Sequence, residues 1–410
     1  MTKILTKHFD EPTLHELETY KRLDGYKGLE KALGMTPAEV TAEVLKSNLR
    51  GLGGAGFPTG AKWGTVPPVD KVPGPRYVVV NADESEPGCF KDRVLLTRAP
   101  HQLIEGLLIA AHAIGAKDAF IFVRGEYQNQ YDVVAKAVKE AEAAGYTKHA
   151  KLLLMRGAGA YISGLDTALL ETMEGKKAWP RQPPPFPTVA GLMAKPTVVN
   201  NVETLSMLPF ILREGGDAFA KIGSAKNGGT VVFSVSGHVE NPGIYEVPMG
   251  SKLRDVLTLA GGVRKGHTLK CVIPGGTSMP PLMEKDLDLA LDFDQIRAAG
   301  TFLGAGGMIV LDETADAVSV AHNIERFLAH ESCGQCTPCR EGSYWNEEIL
   351  ERVLDGKGTP EDVPNMTRIG ENITGKVICA LGDTVGMVTR AYLQRFPEDF
   401  KKRIPDGQKS

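Results

Sequence analysis

Three of the six cysteines fall within Glu331-Ser332-Cys333-Gly334-Gln335-Cys336-Thr337-Pro338-Cys339-Arg340, at C-x-x-C-x-x-C spacing. A two-residue gap lets the backbone curl so that successive thiolates point into one small volume. Three in a row wrap one face of a compact inorganic cluster. Such a cluster needs a fourth ligand, and Cys379, inside Lys376-Val377-Ile378-Cys379-Ala380-Leu381-Gly382, is the best placed. A distant fourth cysteine differs from the tight bacterial ferredoxin run and ties two C-terminal segments together. A four-cysteine zinc site competes, but structural zinc favours two separated C-x-x-C pairs over a triplet and a singleton. A disulfide scaffold fits poorly, because a chain of this size needs no staples. The spacing therefore points to a [4Fe–4S] cluster on Cys333, Cys336, Cys339 and Cys379.

A second chemical stretch is Arg50-Gly51-Leu52-Gly53-Gly54-Ala55-Gly56-Phe57-Pro58-Thr59-Gly60-Ala61-Lys62. It contains G-x-G-x-x-G, yet a dinucleotide fingerprint must follow a strand and open a helix, and the segment before this one reads as helix. What remains is a loop nearly free of side chains, whose N–H groups can approach an anion or a flat ring. Lys62 adds a positive charge and Phe57 a stacking face; a plain flexible turn is the alternative. Asn81-Ala82-Asp83-Glu84-Ser85-Glu86 is an acidic loop, which elsewhere is often only solvated or capping. Asn200, Asn201 and Thr204 could bind phosphate or sugar oxygens, or simply cap the next helix.

The elements that must position these groups alternate. Tyr77–Val80, Ala119–Val123 and Lys151–Met155 read as buried strands, with helices at His101–Gly115 and Gln128–Ala144. That alternation predicts an α/β, doubly wound parallel sheet whose ligands lie at the carboxyl ends of the strands. The acidic loop and the turn Arg156–Gly164, followed by a helix over Leu165–Glu174, then border one crevice, and strand–glycine turn–helix suits a phosphate. The first 50 residues read as polar helices, one opened by Thr36-Pro37-Ala38-Glu39 with Val40, Val44 and Leu45 as its apolar stripe. Pro180–Pro187 is a rigid wall or linker. Strands from Thr230 to Ile273 around one helix suggest a small ubiquitin-like α+β module, and Leu303–Leu311 returns a strand. Beyond Ala315 the pattern is helical, and Pro397–Ser410 reads as a loosely held polar tail. The expected units are 1–50, 51–226, 227–312, 313–396 and 397–410.

The chain has 410 residues, 42 % hydrophobic and 24 % charged, as in ordinary globular proteins. A net charge of −3 gives no electrostatic reason to expect nucleic acid or an anionic membrane surface. No apolar run is long enough to insert in a bilayer and no secretory signal opens the sequence, so a cytoplasmic location is expected.

With these motifs in place, the chain resembles the NADH-binding flavoprotein subunit of respiratory complex I, an NADH-quinone oxidoreductase component of the 51-kDa type, from about residue 20 to residue 400. The resemblance rests on Gly51–Gly60, Asn81–Arg93, Gly157–Gly164, Asn200–Thr204, and Glu331–Gly342 with Cys379. It implies a Rossmann-like FMN domain, a ubiquitin-like (SLBB) module and a helical [4Fe–4S] domain, with hydride transfer from NADH to FMN followed by single-electron steps. By motif, Gly51, Gly53, Gly54 and Lys62 would approach FMN. Asn81, Asp83, Glu84, Tyr161, Gly164, Asn200, Asn201 and Thr204 would complete its site. Phe57 and Phe186 would sandwich the adenine, Asp166 would bind a ribose hydroxyl, and Glu86 would sit at the nicotinamide end; Glu86 and Lys62 are the residues expected to act in the reaction. The departures are on the dinucleotide side: Ser163-Gly164-Leu165-Asp166 for the family's Cys-Gly-Glu-Glu, Thr65 for an aromatic, and Pro183 for a lysine. The implied partners are a thioredoxin-like [2Fe–2S] subunit and the large iron–sulfur subunit, in a complex peripheral to the inner face of the cell membrane. The alternatives are a diaphorase subunit of a soluble NAD-linked hydrogenase or formate dehydrogenase, and a non-catalytic electron-transfer subunit.

Overall fold

The computed structural model describes residues 2–404. Four strands, β1 (Tyr77–Ala82), β2 (Asp118–Val123), β3 (Lys151–Arg156) and β4 (Thr197–Asn201), form a parallel sheet in the order β3-β2-β1-β4. Side chains on a strand alternate between faces, and β1 follows this period. Val78 and Val80 pack into the core that holds the helix Pro100–Ile114, whereas Val79 packs with Leu169 and Leu170 of the helix Asp166–Met173. Both faces are thus covered, which is why β1 is apolar without interruption.

The chain steps from β1 to β2 to β3 on one side, then returns to add β4 on the other side of β1. The order reverses between β1 and β4, and a crevice opens outside their carboxyl ends. β4 is absent from the sequence-based expectation, which treats this stretch as polar residues ahead of a helix. Its two asparagines hide a strand that becomes recognisable only beside β1. The helix Lys91–Arg98 likewise falls outside that expectation.

The second sheet has the order β6-β5-β8-β7, from β5 (Thr230–Gly237), β6 (Gly243–Pro248), β7 (Leu269–Ile273) and β8 (Gly307–Asp312). β5 and β8 run parallel and the outer pairs antiparallel, with the helix Leu253–Leu259 beside them. The N-terminus is bound to this module. The Glu246 carboxylate on β6 accepts from the N–H groups of Ile4, Leu5 and Thr6 at 2.8, 3.0 and 2.7 Å, and from Thr230 Oγ1 at 2.6 Å. The expected capping box forms at Thr36 and Glu39, and Val40 and Val44 are buried. Leu45 is instead 53 % exposed, because it lies past the buried edge of that helix.

The helices Ala317–Glu331, Thr337–Leu354, Asp362–Ile373 and Ala380–Arg395 form a bundle with its own core. The chain beyond it is not loose at first. Pro397–Lys401 is a helix whose Phe400 is buried, and Lys270 Nζ lies 2.6 Å from Asp399. The rest of the expected tail, 405–410, lies outside the described residues.

One buried ionic cluster joins the sheet, the helices that follow β1 and β4, and the second module. The fully buried Lys91 ammonium stands 2.9 Å from Asp92 and 2.7 Å from Glu203. Asp92 accepts from Asn201 Nδ2 at 2.6 Å, and Glu203 accepts from the Val232 N–H of β5 at 2.7 Å. Burial raises the Glu203 carboxyl to about 7, with Lys91 opposing the rise. Removing one partner of a buried ion pair leaves the other charge uncompensated, a loss of about 3–5 kcal/mol. Lys91→Met is expected to lower stability by that order in urea unfolding at pH 7. Folding pushes Glu84 and Glu203 up to about 7, so these groups take protons in the folded state as pH falls. The deficit should therefore shrink between pH 8 and pH 5.

Candidate flavin crevice and iron–sulfur centre

The glycine loop forms the crevice floor. Gly51 N–H donates to the Phe57 carbonyl at 2.9 Å and Leu52 N–H to Thr204 Oγ1 at 2.8 Å. A Cβ on Gly53 would fall 2.7 Å from Asn201 Cβ, so only glycine lets the loop lie this close. Gly54, at φ +134°, faces open space. Asn201 and Thr204 therefore hold the loop from behind. Asn201 Oδ1 also caps the following helix, accepting from the Glu203 N–H at 2.9 Å. Asn200 accepts from Trp63 Nε1 at 3.0 Å. Lys62 Nζ donates to the Val199 carbonyl at 2.7 Å, and burial pulls its ammonium below the usual lysine range, with Asp166 opposing.

The acidic loop divides its labour. Asn81 bridges β1 to the Tyr161–Gly164 turn, donating to the Gly164 carbonyl at 2.7 Å and accepting from the Asp83 N–H at 3.0 Å. Asp83 Oδ1 accepts from Ser85, but Oδ2 is buried with no hydrogen-bond partner. Burial lifts this carboxyl to about 6. A buried carboxylate oxygen without a donor, above a glycine floor, fits a ligand rich in hydroxyl groups, as a flavin's ribityl chain is. Glu84 points elsewhere. It accepts from the N–H groups of Asp92 and Arg93 at 2.8 and 3.0 Å and from Tyr127 at 3.0 Å, capping the helix Lys91–Arg98. Glu86 accepts from Tyr161 Oη at 2.6 Å, and burial raises its carboxyl while these hydrogen bonds lower it.

On the outer side, Phe57 and Phe186 expose 55 % and 61 % of their surface, as stacking faces would. Asp166 is half-buried and accepts from the Thr167 N–H at 2.8 Å. Thr65 donates to Thr188 at 2.8 Å, joining the helix Thr59–Gly64 to the segment just after Phe186. The glycine turn at 157–160 is used for close packing. A Cβ on Gly125 would lie 2.7 Å from the Gly157 carbonyl, and Gly159 lies against the Glu126 carboxylate, an unfavourable neighbour for phosphate.

Cys333, Cys336, Cys339 and Cys379 line one cavity with Ile162, Val377 and Leu381, and all four are free thiols. Cys336 and Cys379 are the N-caps of the helices Thr337–Leu354 and Ala380–Arg395, so two positive helix ends face the cavity. The Ile378 N–H donates to Cys336 Sγ at 3.4 Å, and Ser332 Oγ lies 3.4 Å from Cys339 Sγ. Burial pushes Cys339 up to about 11 and Cys379 above the ordinary thiol range, with the neighbouring thiolates adding to both. The spacing of the sulfurs discriminates between metals. A tetrahedral zinc with bonds of about 2.3 Å holds its sulfurs about 3.8 Å apart. Among the described residues, the trio of His, Cys, Asp or Glu ligand atoms within 4.8 Å of one another is His267, Asp312 and Glu313, not any three of these cysteines. No three of the four sulfurs therefore stand at the spacing of a single tetrahedral ion, and four thiols around one apolar cavity are the donor set that a [4Fe–4S] cluster takes. The histidine trio is an ion-pair knot, with Arg264 and His238 also on Asp312.

Two contacts were invisible to sequence reasoning. Trp179, in the proline-dense connection, donates its indole N–H to the Cys333 carbonyl at 3.0 Å under the ammonium of Lys177. Thr277 and Ser278 reach Glu86 from the second module. Neither lies near its target in sequence, and neither belongs to a motif.

The fold and the two sites define a flavin- and iron–sulfur-dependent dehydrogenase component. Residues 44–209 match the Nuo51 FMN-binding domain, 232–282 the SLBB domain, and 319–403 the iron–sulfur binding region of NADH-ubiquinone oxidoreductase-F. An F-type NADH-quinone oxidoreductase component from Rhizobium meliloti (strain 1021) is 46 % identical, with 98 % of each chain covered. Its counterpart from Mycobacterium tuberculosis (strain ATCC 25618 / H37Rv) is 45 % identical over 99 % of this chain and 94 % of its own. The crystal structure of an H2-reduced NAD+-reducing [NiFe]-hydrogenase superposes with a TM-score of 0.85 at 34 % identity, covering 99 % of this chain. This chain spans only 66 % of that hydrogenase chain. The chain belongs to the family of F-type NADH-quinone oxidoreductase components, the 51-kDa-type flavoproteins, and its cofactors are FMN and a [4Fe–4S] cluster.

Cys379→Ala is expected to abolish cluster assembly while leaving flavin bound. Iron content and the reduced-state EPR signal check this; wild-type values in the variant would remove Cys379 as a ligand.

Proposed function

We propose that this chain oxidises NADH by hydride transfer to FMN and hands the electrons singly to its cluster, as the electron-input component of an NADH–quinone oxidoreductase complex. The observation that carries this reading is a shared wall. Tyr161 donates to Glu86 on the crevice side, its neighbour Ile162 lines the cysteine cavity, and the Tyr161 N–H donates to Glu331 at 3.0 Å, two residues before Cys333. Bound FMN supplies an acceptor that takes electrons in a pair and releases them one at a time.

The chain's own groups supply binding and orientation. Phe57 and Phe186 stack the adenine, Asp166 binds a ribose hydroxyl, and Glu86 meets the nicotinamide end. A carboxylate there complements the positive charge that the nicotinamide ring acquires as the hydride leaves. Asn81, Asp83 and the glycine loop hold the flavin, with Lys62 adding positive charge. The partners we infer are a thioredoxin-like [2Fe–2S] subunit and the large iron–sulfur subunit, placing the chain on the cytoplasmic side of the membrane. No helix among the described residues is long and apolar enough to cross a bilayer.

The similarity to a hydrogenase chain favours, as a second reading, a diaphorase role. The cysteines of this chain beyond the cluster four, Cys89 and Cys271, are both buried. Anaerobic titration of the FMN- and cluster-loaded chain with NADH is expected to bleach the flavin; unbleached flavin would leave a non-catalytic electron-transfer role. NADH should be preferred over NADPH, because the Asp166 carboxylate repels a 2′-phosphate. Asp166→Asn should narrow that preference by about tenfold in kcat/KM, a change of about 1.4 kcal/mol. Equal kcat/KM for the two nucleotides in the unmodified chain would contradict the assignment.

A further inference from the structure

Glu86 is gripped by two modules at once. From the parallel-sheet domain it accepts Tyr161 Oη at 2.6 Å. From the second module it accepts Ser278 Oγ at 2.7 Å, the Ser278 N–H at 2.8 Å and Thr277 Oγ1 at 3.3 Å. Ser278 Oγ also lies 2.9 Å from Tyr161 Oη, closing a three-member network, and Ser278 is only 2 % exposed. The turn that carries it is built around the carboxylate. Gly276 has φ +103°, and a Cβ there would fall 2.3 Å from Glu86 Cγ. The Thr277 N–H donates to the Pro87 carbonyl at 3.2 Å, fixing the two loops against each other. A carboxylate held by four donors has its rotamer and its charge set by those donors.

We propose that Ser278, supplied by the ubiquitin-like module, is a positioning residue for hydride transfer, which fixes the orientation and ionised state of Glu86. The proposal rests on the reading that Glu86 meets the nicotinamide end, and it gives that module a part in the chemistry it does not otherwise touch. Tyr161, a buried phenol held well above its ordinary range, stays neutral and donates. The other titratable groups around Glu86 are Glu84 and the buried thiol of Cys89, with Glu331 on the Tyr161 N–H. From the helix Ala317–Glu331, Arg326 and His330 line the cleft beside Pro87 and Thr277. Loss of the Ser278 hydroxyl removes a donor that lowers the Glu86 carboxyl, so the carboxyl rises and protonates at higher pH.

The test uses the FMN- and cluster-loaded chain, with rapid-mixing measurement of flavin bleaching by NADH as a function of pH. Ser278→Ala should keep its FMN and iron, yet move the acid limb of the profile upward by about half a unit or more. Ser278→Thr, which retains the hydroxyl, should restore the profile. In a Glu86→Gln background, Ser278→Ala should change nothing further. A Ser278→Ala profile that overlays the wild type while Glu86→Gln alters it would overturn the role of Ser278 alone. So would loss of flavin or iron in both serine variants, which marks a purely structural contact. If Glu86→Gln itself bleaches with a wild-type rate and profile, Glu86 is not at the nicotinamide and both readings fall together.

Discussion

A single ammonium buried among carboxylates underlies the geometry of this molecule. Lys91 has no access to solvent, and its neighbours are Asp92, beside it on the helix Lys91–Arg98 between β1 and β2, and Glu203, on the helix that follows β4. Through Asp92 the network reaches Asn201 at the end of β4, and through Glu203 it reaches β5 of the second module. Glu84 caps the helix that carries Lys91. Burying charge is costly unless every group is paired, so these segments have one mutually satisfactory arrangement. That arrangement fixes the ends of β1 and β4, and with them the crevice.

The crevice is defined as much by missing side chains as by present ones. Gly53 brings the loop onto Asn201, while Thr204 and the Gly51–Phe57 hydrogen bond hold it there. Asn201, Thr204 and Glu84 also tie the scaffold together. Asp83, with one buried oxygen lacking a donor, is the group left open. The cysteine cavity follows a different logic. Two helix N-termini and backbone N–H donors surround an apolar space, an environment suited to a compact anion of sulfur and iron.

The modules meet through a few short contacts. Tyr161 and Ile162 are adjacent residues that face different sites, and Trp179 links the proline-dense connection to the Cys333 carbonyl. Electron transfer needs proximity without flexibility, and packed interiors supply that rigidity. The ubiquitin-like module contributes a turn whose glycine leaves room for Glu86.

The sequence alone determined whatever depends on local spacing. The cysteine triplet, the side-chain-poor loop, the capping box at Thr36 and the strand–helix alternation are all set by neighbours along the chain, so their physics is written in order. The same locality explains what escaped it. β4 carries two polar asparagines and is a strand only because β1 offers it a partner. Leu45 sits on an apolar stripe yet is exposed, since burial depends on what packs opposite. The scaffold contacts of Asn201 and Glu84, which cap helices, and the donor-free oxygen of Asp83 belong to tertiary structure. So does the meeting of Ser278 with Glu86, 192 positions apart, because hydrogen bonds between distant segments leave no periodicity to read.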